Sequence, residues 1–337
     1  MEVKNVFNFF EGVNKMNKKP LVSMITYCYN GERFVSNYFE AILSQTYTNI
    51  ELIFFDNGSE DKTLEIAESY REKLTEKGMA VNIIHYDENQ STCMLKQKAF
   101  QEMKGEYFFG CDSDDYIDPT YVEEMVSYLM ENPEKGIVYC QLRMVEEETG
   151  NIINIMKIQP RYNSKEAFAD ILMSRNINYT AISYMMSAKH LDKVNPGRRI
   201  HISRYGENYQ VQMPFLYHDL QGYIEKPLGQ YTVRKDSYSG TLDHNKKVIA
   251  LKGQEESVLA TFEQMNMPDR EYFEKLYLAR NRKDRFMVSL SCDNDDIVCE
   301  CLNELKEIGS VTFKIRLYYC LYKLNLLHFV RSFKKRR

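Results

Sequence analysis

The stretch Gly110-Cys111-Asp112-Ser113-Asp114-Asp115-Tyr116, here termed the acid loop, carries three carboxylates within four residues, directly after the apolar run Tyr107-Phe108-Phe109. An apolar run that ends in acids predicts a buried strand that delivers carboxylates to the rim of a sheet. Clustered carboxylates repel one another unless a cation is near, and hard oxygen ligands at this density suit Mg²⁺ or Mn²⁺. Asp and Ser are also ordinary turn residues, so the stretch alone is equally consistent with a solvated turn.

Strand-like and helix-like segments alternate around the acid loop. Four strands are predicted at 21–25, 50–55, 81–85 and 106–109, separated by helical segments at 34–43, 60–77 and 92–103. This alternation is typical of an α/β fold in which a mostly parallel sheet is flanked by helices. Ligands bind at the carboxyl ends of the strands in such sheets, and Asp56 and Asp112 both follow a strand at that end.

Length and composition predict the domain organisation. We expect the 337 residues to form an N-terminal extension over residues 1–19, a catalytic domain over residues 20–240 and a helical C-terminal region over residues 241–337. The net charge of −4 lacks the basic balance of a nucleic-acid-binding protein. Eight scattered cysteines without a Cys-x-x-Cys pair, no secretory signal and no long apolar run predict a cytoplasmic protein with reduced thiols.

Four segments resemble, in order, the motifs of the family 2 glycosyltransferases, whose fold is the GT-A (Rossmann-like) fold. They are residues 22–32, residues 44–47 with the turn at 56–63, residues 105–115 with an Asp-x-Asp motif, and residues 206–210 followed by 231–239. The resemblance implies an inverting, metal-assisted transferase that moves one sugar from a nucleotide-diphosphate donor, with UDP expected, to a sugar hydroxyl. The acceptor would be a glycan or a lipid-linked sugar in cell-surface polysaccharide biosynthesis.

The resemblance places a nucleotide pocket after the first two strands. Thr26 and Tyr29 would line it, and Glu32 lies in the same turn. Asp56 would accept a hydrogen bond from the base, since a carboxylate at a strand end is a good fixed acceptor. Asp56 could instead cap the helix that follows it.

The same resemblance divides the acid loop into roles. Asp112 and Ser113 would hold the donor, with Asp112 on the ribose hydroxyls, and Asp114 would coordinate Mn²⁺ or Mg²⁺. Asp115 would orient the loop or cap the next helix. Lys96 matches a basic position that could offset phosphate charge, although it could equally belong to a solvated helix face.

The second half departs from the family pattern at two positions. Glu207-Asn208 stands where the family commonly has Glu-Asp, and that Asp is the general base there. Because Asn cannot take a proton, we expect Glu207 to be the base, with Asn208 and Gln210 orienting hydroxyls; Glu207 could instead cap its helix. Arg234 stands where many members have His, and its planar fork suits the diphosphate, although a surface salt bridge is also open.

The C-terminal segment is basic and amphipathic. Eight basic residues and no acid follow Glu307. A broad helical face is predicted for Phe313, Leu317, Tyr318, Leu321, Leu324 and Phe329. Such a helix fits peripheral contact of residues 312–337 with the inner face of the cell membrane, and it equally fits docking on the protein itself.

The two departures also leave a second function open, that of a catalytically silent family member acting as a nucleotide-sugar or glycan binding or scaffold subunit. A nucleotidyltransferase is disfavoured. That class usually opens with a Gly-rich, basic loop after the first strand, whereas residues 26–33 contain one Gly and one basic residue. The sequence identifies neither the donor sugar, the acceptor nor the oligomeric state.

Overall fold

The structure is a computed structural model that describes residues 19–161, 163–218, 221–234, 242–292 and 294–327. These residues form one nine-stranded sheet in the order β3-β2-β1-β4-β8-β6-β9-β5, with β7 paired to β6. The strands are β1 (Val22–Cys28), β2 (Ile50–Asn57), β3 (Ala80–Tyr86), β4 (Tyr107–Gly110), β5 (Tyr116–Ile117), β6 (Ile137–Glu146), β7 (Ile152–Met156), β8 (Tyr184–Ser187) and β9 (Gln221–Val233).

The first four strands are parallel to one another, as the alternation of strands and helices predicts. Every residue of β2 is buried, and so is nearly every residue of β1, because helices cover both faces of a parallel sheet. The helices of this half are α1 (Val35–Leu43), α2 (Thr63–Glu76), α3 (Thr92–Glu102) and α4 (Tyr121–Glu131). The predicted fold class is therefore confirmed.

The chain divides into two compact units. The first, here the sheet unit, contains the described residues up to Pro160 together with Asn178–Arg199 and His218–Val233. The second, here the helical unit, contains Arg161–Ile177, Ile200–Tyr217 and the described residues from Arg234 onward. The domain division near residue 240 stays a prediction; the compact units differ from it in placing two earlier segments with the C-terminal helices.

The helical unit has its own core. The remaining helices are α5 (Ser164–Leu172), α6 (Ala188–Val194, in the sheet unit), α7 (Glu207–Tyr217), α8 (His244–Gln264), α9 (Arg270–Ser289), α10 (Asp295–Glu307) and α11 (Phe313–Lys323). Phe168 of α5 packs edge-on against Phe273 of α9, with ring centroids 4.8 Å apart. The carboxylate of Glu255 accepts from Arg282 and Arg285, each at 2.9 Å, which pairs these largely buried charges. Within the described ranges, no helix is long and apolar enough to cross a membrane.

Candidate active site

Strand register brings the predicted nucleotide residues to one edge of the sheet. Cys28 at the end of β1 lies beside Asp56 of β2, and Asp56 lies beside His85 of β3. Gly110, which opens the acid loop, lies beside Ile25 of β1. The ends of four parallel strands therefore meet where ligands bind in such sheets.

Hydrogen bonds join the turn after β1 to the turn after β2. The Asn30 N–H donates to Ser59 Oγ at 2.9 Å, and the Glu32 N–H donates to Asp61 Oδ2 at 3.0 Å. In return, Glu32 Oε2 accepts from the Lys62 N–H at 3.0 Å. The structure thus places Glu32 as a brace between the two turns, while its predicted contact with the nucleotide stays a prediction.

Thr26 and Tyr29 differ in exposure. Thr26 is fully buried, and its hydroxyl lies 2.5 Å from the hydroxyl of Tyr38 on α1. The ring of Tyr29 is 51% exposed, so an aromatic face is available beside the strand ends. Tyr29 thus offers the exposed aromatic face of this turn, whereas the Thr26 hydroxyl is used within the protein; contact of either residue with the nucleotide stays a prediction.

Asp56 is fully buried, and only one of its two carboxylate oxygens has a hydrogen-bond partner among the described residues. Its Oδ2 lies 2.6 Å from Nδ1 of His85, whereas no described residue hydrogen-bonds to its buried Oδ1. Asp56 does not cap α2: the Thr63 N–H at the start of that helix donates to Asp61 Oδ1 at 2.9 Å. A buried carboxylate oxygen without a donor is costly, which makes Asp56 Oδ1 an available acceptor at this edge of the sheet.

Asn57, the last residue of β2, has a structural task. Its Oδ1 accepts from the Gln90 N–H at 2.8 Å, and its Nδ2 donates to the Gln90 carbonyl at 3.1 Å. Gly58 follows with φ +79°, and a Cβ there would lie 2.7 Å from the backbone of Glu88 and Asn89. Glycine is therefore required where the turn after β2 meets the turn after β3.

The acid loop concentrates negative charge at the strand ends. Asp112 is exposed, Asp114 is half-buried and Asp115 is buried, and the Asp115 N–H closes the turn on the Asp112 carbonyl at 3.1 Å. Burial raises the pKa of the Cys28 thiol to about 12, and the carboxylates of Asp56 and Asp114 add to that rise, while a hydrogen bond with Ser113 opposes it. Burial is the main cause of this rise, and the nearby carboxylates add to it.

The metal-binding role predicted for Asp114 stays a prediction. Among the described residues, no three His, Cys, Asp or Glu side chains are grouped closely enough to hold a metal by themselves. Asp112 is exposed and Asp114 is half-buried, and burial together with the loop carboxylates raises the pKa of the Cys111 thiol. A cation bound here would need phosphate oxygens to complete its coordination, as Mg²⁺ commonly does.

A cavity of about 490 Å³ opens on the α1 side of the acid loop. Its lining includes Phe34, Tyr38, Ser113, Asp114, Asp115 and Thr232. Ser113 and Asp114 are predicted site residues, whereas Thr26, Tyr29, Asp56 and Lys96 do not line the cavity, so it includes only part of the predicted site. Its volume is in the range of sites that enclose a small ligand.

The predicted base and its neighbours belong to the helical unit. Glu207 is the first residue of α7, and both Glu207 and Asn208 are half-buried. Gln210 is 3% exposed, and its amide is used twice on His201, accepting from the N–H at 2.6 Å and donating to the carbonyl at 3.0 Å. The structure thus places Gln210 as a brace for the loop before α7, and a ligand would have to displace these bonds.

That loop is anchored on α8. Gly206 has φ +86°, and a Cβ added to it would lie 2.8 Å from Cβ of Ser257. Ser257 Oγ donates to the Tyr205 carbonyl at 2.6 Å, and Tyr205 packs over Gly253, where a Cβ would meet its ring at 2.6 Å. Contacts with α8 therefore fix the backbone that leads into α7, whose first residue is Glu207.

The two predicted basic residues are half-buried. Lys96 lies on α3, whose start is capped by Ser91 Oγ accepting from the Met94 N–H at 3.2 Å. Arg234 directly follows β9, and residues 235–239 of the same motif lie outside the described residues. Their phosphate-binding roles stay predictions.

Sequence reasoning missed His85 and Tyr38, which hold Asp56 and Thr26. His85 lies on β3, and only the pairing register with β2 reveals that it faces Asp56. Tyr38 belongs to the apolar helical pattern of α1 and is indistinguishable in sequence from a core aromatic residue. Neither residue therefore carried a local signal in the sequence.

The chain matches a known family model over the segment that builds this edge. Residues 23–190 match the model described as glycosyl transferase family 2. With the fold and the acid loop in place, the class is that of a GT-A glycosyltransferase enzyme. The chain belongs to glycosyl transferase family 2.

A curated relative extends the similarity beyond this segment. EpsH of Bacillus subtilis (strain 168), described as a glycosyltransferase, is 28% identical over 297 residues, covering 86% of this chain and 79% of EpsH. Three of the first four curated relatives match over 138 to 148 residues, which is 42 to 44% of their own length.

Two solved structures share the fold. S. aureus TarS 1-349 in complex with UDP-GlcNAc superposes with a TM-score of 0.61 at 16% identity, covering 92% of this chain and 87% of that one. The mannosyltransferase PcManGT of Pyrobaculum calidifontis in complex with GDP-Man and Mn²⁺ gives a TM-score of 0.51 at 14% identity, covering 96% and 94%. Identities this low establish the fold alone.

Proposed function

We propose that the protein transfers a sugar from a UDP-linked donor to a sugar hydroxyl in the assembly of a cell-surface polysaccharide. The observation that carries the choice of nucleotide is the buried Asp56 Oδ1, which has no hydrogen-bond donor among the described residues. Uracil has an N–H at position 3 that can donate to it. The complex of TarS with UDP-GlcNAc supports a UDP-linked donor. The teichuronic acid role named for TuaG of Bacillus subtilis supports a polysaccharide pathway.

The rest of the nucleotide would occupy the adjoining turns. The exposed ring of Tyr29 covers the base, and Asp112 accepts from the ribose hydroxyls. Lys96 and Arg234 carry the positive charge that the diphosphate requires. This arrangement assigns an anionic ligand to an anionic loop, which is stable only with cations between them.

Asp114 would supply a carboxylate oxygen to Mn²⁺ or Mg²⁺, with Asp112 nearby. A dication at this position neutralises the charge that develops on the β-phosphate as the nucleoside diphosphate departs. The protein's own contribution is to hold the donor by base and ribose, so that the anomeric carbon is fixed while the acceptor approaches.

Glu207 would act as the general base. In an inverting displacement, the acceptor hydroxyl attacks the anomeric carbon as the nucleoside diphosphate leaves, and the hydroxyl proton passes to a carboxylate. Asn208 cannot accept that proton, but its amide can orient a hydroxyl. The anchoring of the loop before α7 on α8 holds the backbone that leads to Glu207.

A nucleotide screen in the presence of Mn²⁺ tests the proposed donor. The thermal midpoint should rise most with UDP, because a ligand that binds the native state stabilises it. CDP is the matched comparison, since cytosine has no N–H at position 3, and dTDP tests the ribose contact, since it lacks the 2′-hydroxyl. A larger rise with GDP or CDP than with UDP would refute the choice of UDP.

A transfer assay separates binding from catalysis. A UDP-sugar that raises the midpoint should also be consumed, slowly by hydrolysis and faster with a glycan or lipid-linked acceptor. Binding without any turnover across acceptors would contradict the transferase activity proposed here and favour a binding subunit.

A further inference from the structure

The last described helix, α11, has one packed face. Ile315 is 2% exposed and belongs to a core with Phe286 of α9 and Leu305 of α10. Tyr322 adds a polar anchor, donating its hydroxyl proton to Asp295 Oδ1 at 2.6 Å, and Lys323 Nζ lies 2.7 Å from Asp295 Oδ2. The helix is therefore firmly docked on the helical unit.

The opposite face of α11 is apolar and exposed. The side chains of Phe313, Leu317 and Leu324 are 82%, 47% and 65% exposed, and Cys320 is exposed as well. The spacing of these four residues, here the outer stripe, places them along one line of the helix. Sequence reasoning also put Tyr318 and Leu321 on this face, but they pack partly against the core, and Phe329 lies outside the described residues.

Basic side chains lie on both sides of the outer stripe. At 3.6 residues per turn, Arg316 falls on one side of Phe313 and Lys314 on the other, and both are exposed. No acidic residue follows Glu307 in the sequence, whereas eight basic residues do. An apolar line between cations is the arrangement by which a helix lies in a lipid interface.

We propose that the outer stripe of α11 docks on an anionic lipid surface, with Phe313, Leu317 and Leu324 entering the interface and Lys314 and Arg316 contacting the headgroups. A second copy of the chain is a poorer occupant, because two such helices face to face would oppose like charges, with no acid on either helix. Anionic lipids supply the missing negative charge over a broad surface. This inference does not depend on the identity of the sugar donor.

Vesicle flotation of the full-length protein tests the proposal. We expect the protein to float with phosphatidylcholine vesicles containing about one third phosphatidylglycerol and to float far less with pure phosphatidylcholine. The variant Phe313→Ser/Leu317→Ser/Leu324→Ser should lose at least about tenfold in partition coefficient on the anionic vesicles. Ile249→Ser/Tyr272→Ser removes exposed apolar side chains from α8 and α9 of the same unit and should bind like the wild type.

Two further measurements keep the test independent of folding defects in the triple variant. Lys314→Gln/Arg316→Gln retains the stripe and should bind anionic vesicles more weakly, with a smaller dependence on salt. A polarity-sensitive dye on the exposed Cys320 should shift to the blue when anionic vesicles are added.

Three results would overturn the lipid-docking proposal. One is a triple variant that floats like the wild type, because the basic tail alone would then account for binding. Another is equal flotation on neutral and anionic vesicles. The third is a wild-type dimer in sedimentation velocity that the triple variant abolishes, without flotation of either protein, because the stripe would then be a contact between copies.

Discussion

Nδ1 of His85 lies 2.6 Å from Oδ2 of Asp56, and the two residues are register partners in the parallel strands β3 and β2. This bond fixes the orientation of a fully buried carboxylate whose other oxygen has no partner among the described residues. Under the proposed function, His85 would be a positioning residue that orients Asp56 Oδ1 toward the donor base without contacting the base itself.

His85→Ala should weaken donor binding. Loss of one hydrogen bond to a charged group costs about 1.5–3 kcal/mol, so the KM for a UDP-sugar should rise roughly tenfold or more with a smaller change in kcat. Asn82→Ala, an exposed position on the same strand, is the matched control and should leave KM unchanged. An equal fall in kcat with an unchanged KM would argue that His85 acts in some other way.

Asp114→Asn should weaken the affinity of the protein for the divalent cation. Replacing a charged ligand by a neutral one should raise the Mn²⁺ concentration needed for half-maximal turnover by about tenfold or more, and chelation should abolish wild-type turnover. Asp296→Asn, at the start of α10, controls for loss of a carboxylate elsewhere. Full wild-type activity in excess chelator would refute the assigned metal role.

Glu207→Gln should reduce kcat by about 100-fold or more while leaving UDP binding intact, because the acceptor proton loses its acceptor. The chain offers a specific rescue: Asn208→Asp in the Glu207→Gln background restores the acid that the family commonly has at that position. Partial recovery of kcat in the double variant is the expected result. Near-normal turnover of Glu207→Gln at saturating donor would exclude Glu207 as the base.

Gly206→Ala should disturb the loop that leads to Glu207. The alanine would have to adopt φ +86°, and its Cβ would lie 2.8 Å from Ser257 Cβ. We therefore expect a loss of about 2–3 kcal/mol in the free energy of unfolding and a lower kcat. Gly309→Ala is the matched control, with φ +65° and no atom within 4 Å of the new Cβ. If both variants lose the same stability, the contact with Ser257 contributes nothing.

The parallel half of the fold could be predicted because its signals are local. Apolar runs that end in acids, as at Phe109 to Asp112, carry both the strand and its functional end in a few adjacent residues. The same runs located Asp56 and Asp114, since the carboxyl ends of parallel strands share one edge.

The helical unit could not be predicted in the same way because its organisation depends on contacts far apart in sequence. The anchoring of Gly206 on Ser257 joins positions 51 residues apart and leaves no local pattern. Gln210 illustrates the same difficulty, since its motif position suggested a ligand contact, whereas its amide is bonded to the backbone of His201. Likewise, only the residues that pack against α11 distinguish its buried face from its exposed face.

Calorimetric titration of UDP and CDP into the wild type and Asp56→Asn, with Mn²⁺ present, tests the central claim most directly. A carboxylate at position 56 accepts from the uracil N–H, whereas an amide can donate to the bare nitrogen of cytosine. We therefore expect the wild type to bind UDP at least about tenfold more tightly than CDP, and Asp56→Asn to lose most of that preference. Equal affinity of the wild type for UDP and CDP, or an unchanged preference in Asp56→Asn, would contradict the assignment of Asp56 as the residue that reads the donor base.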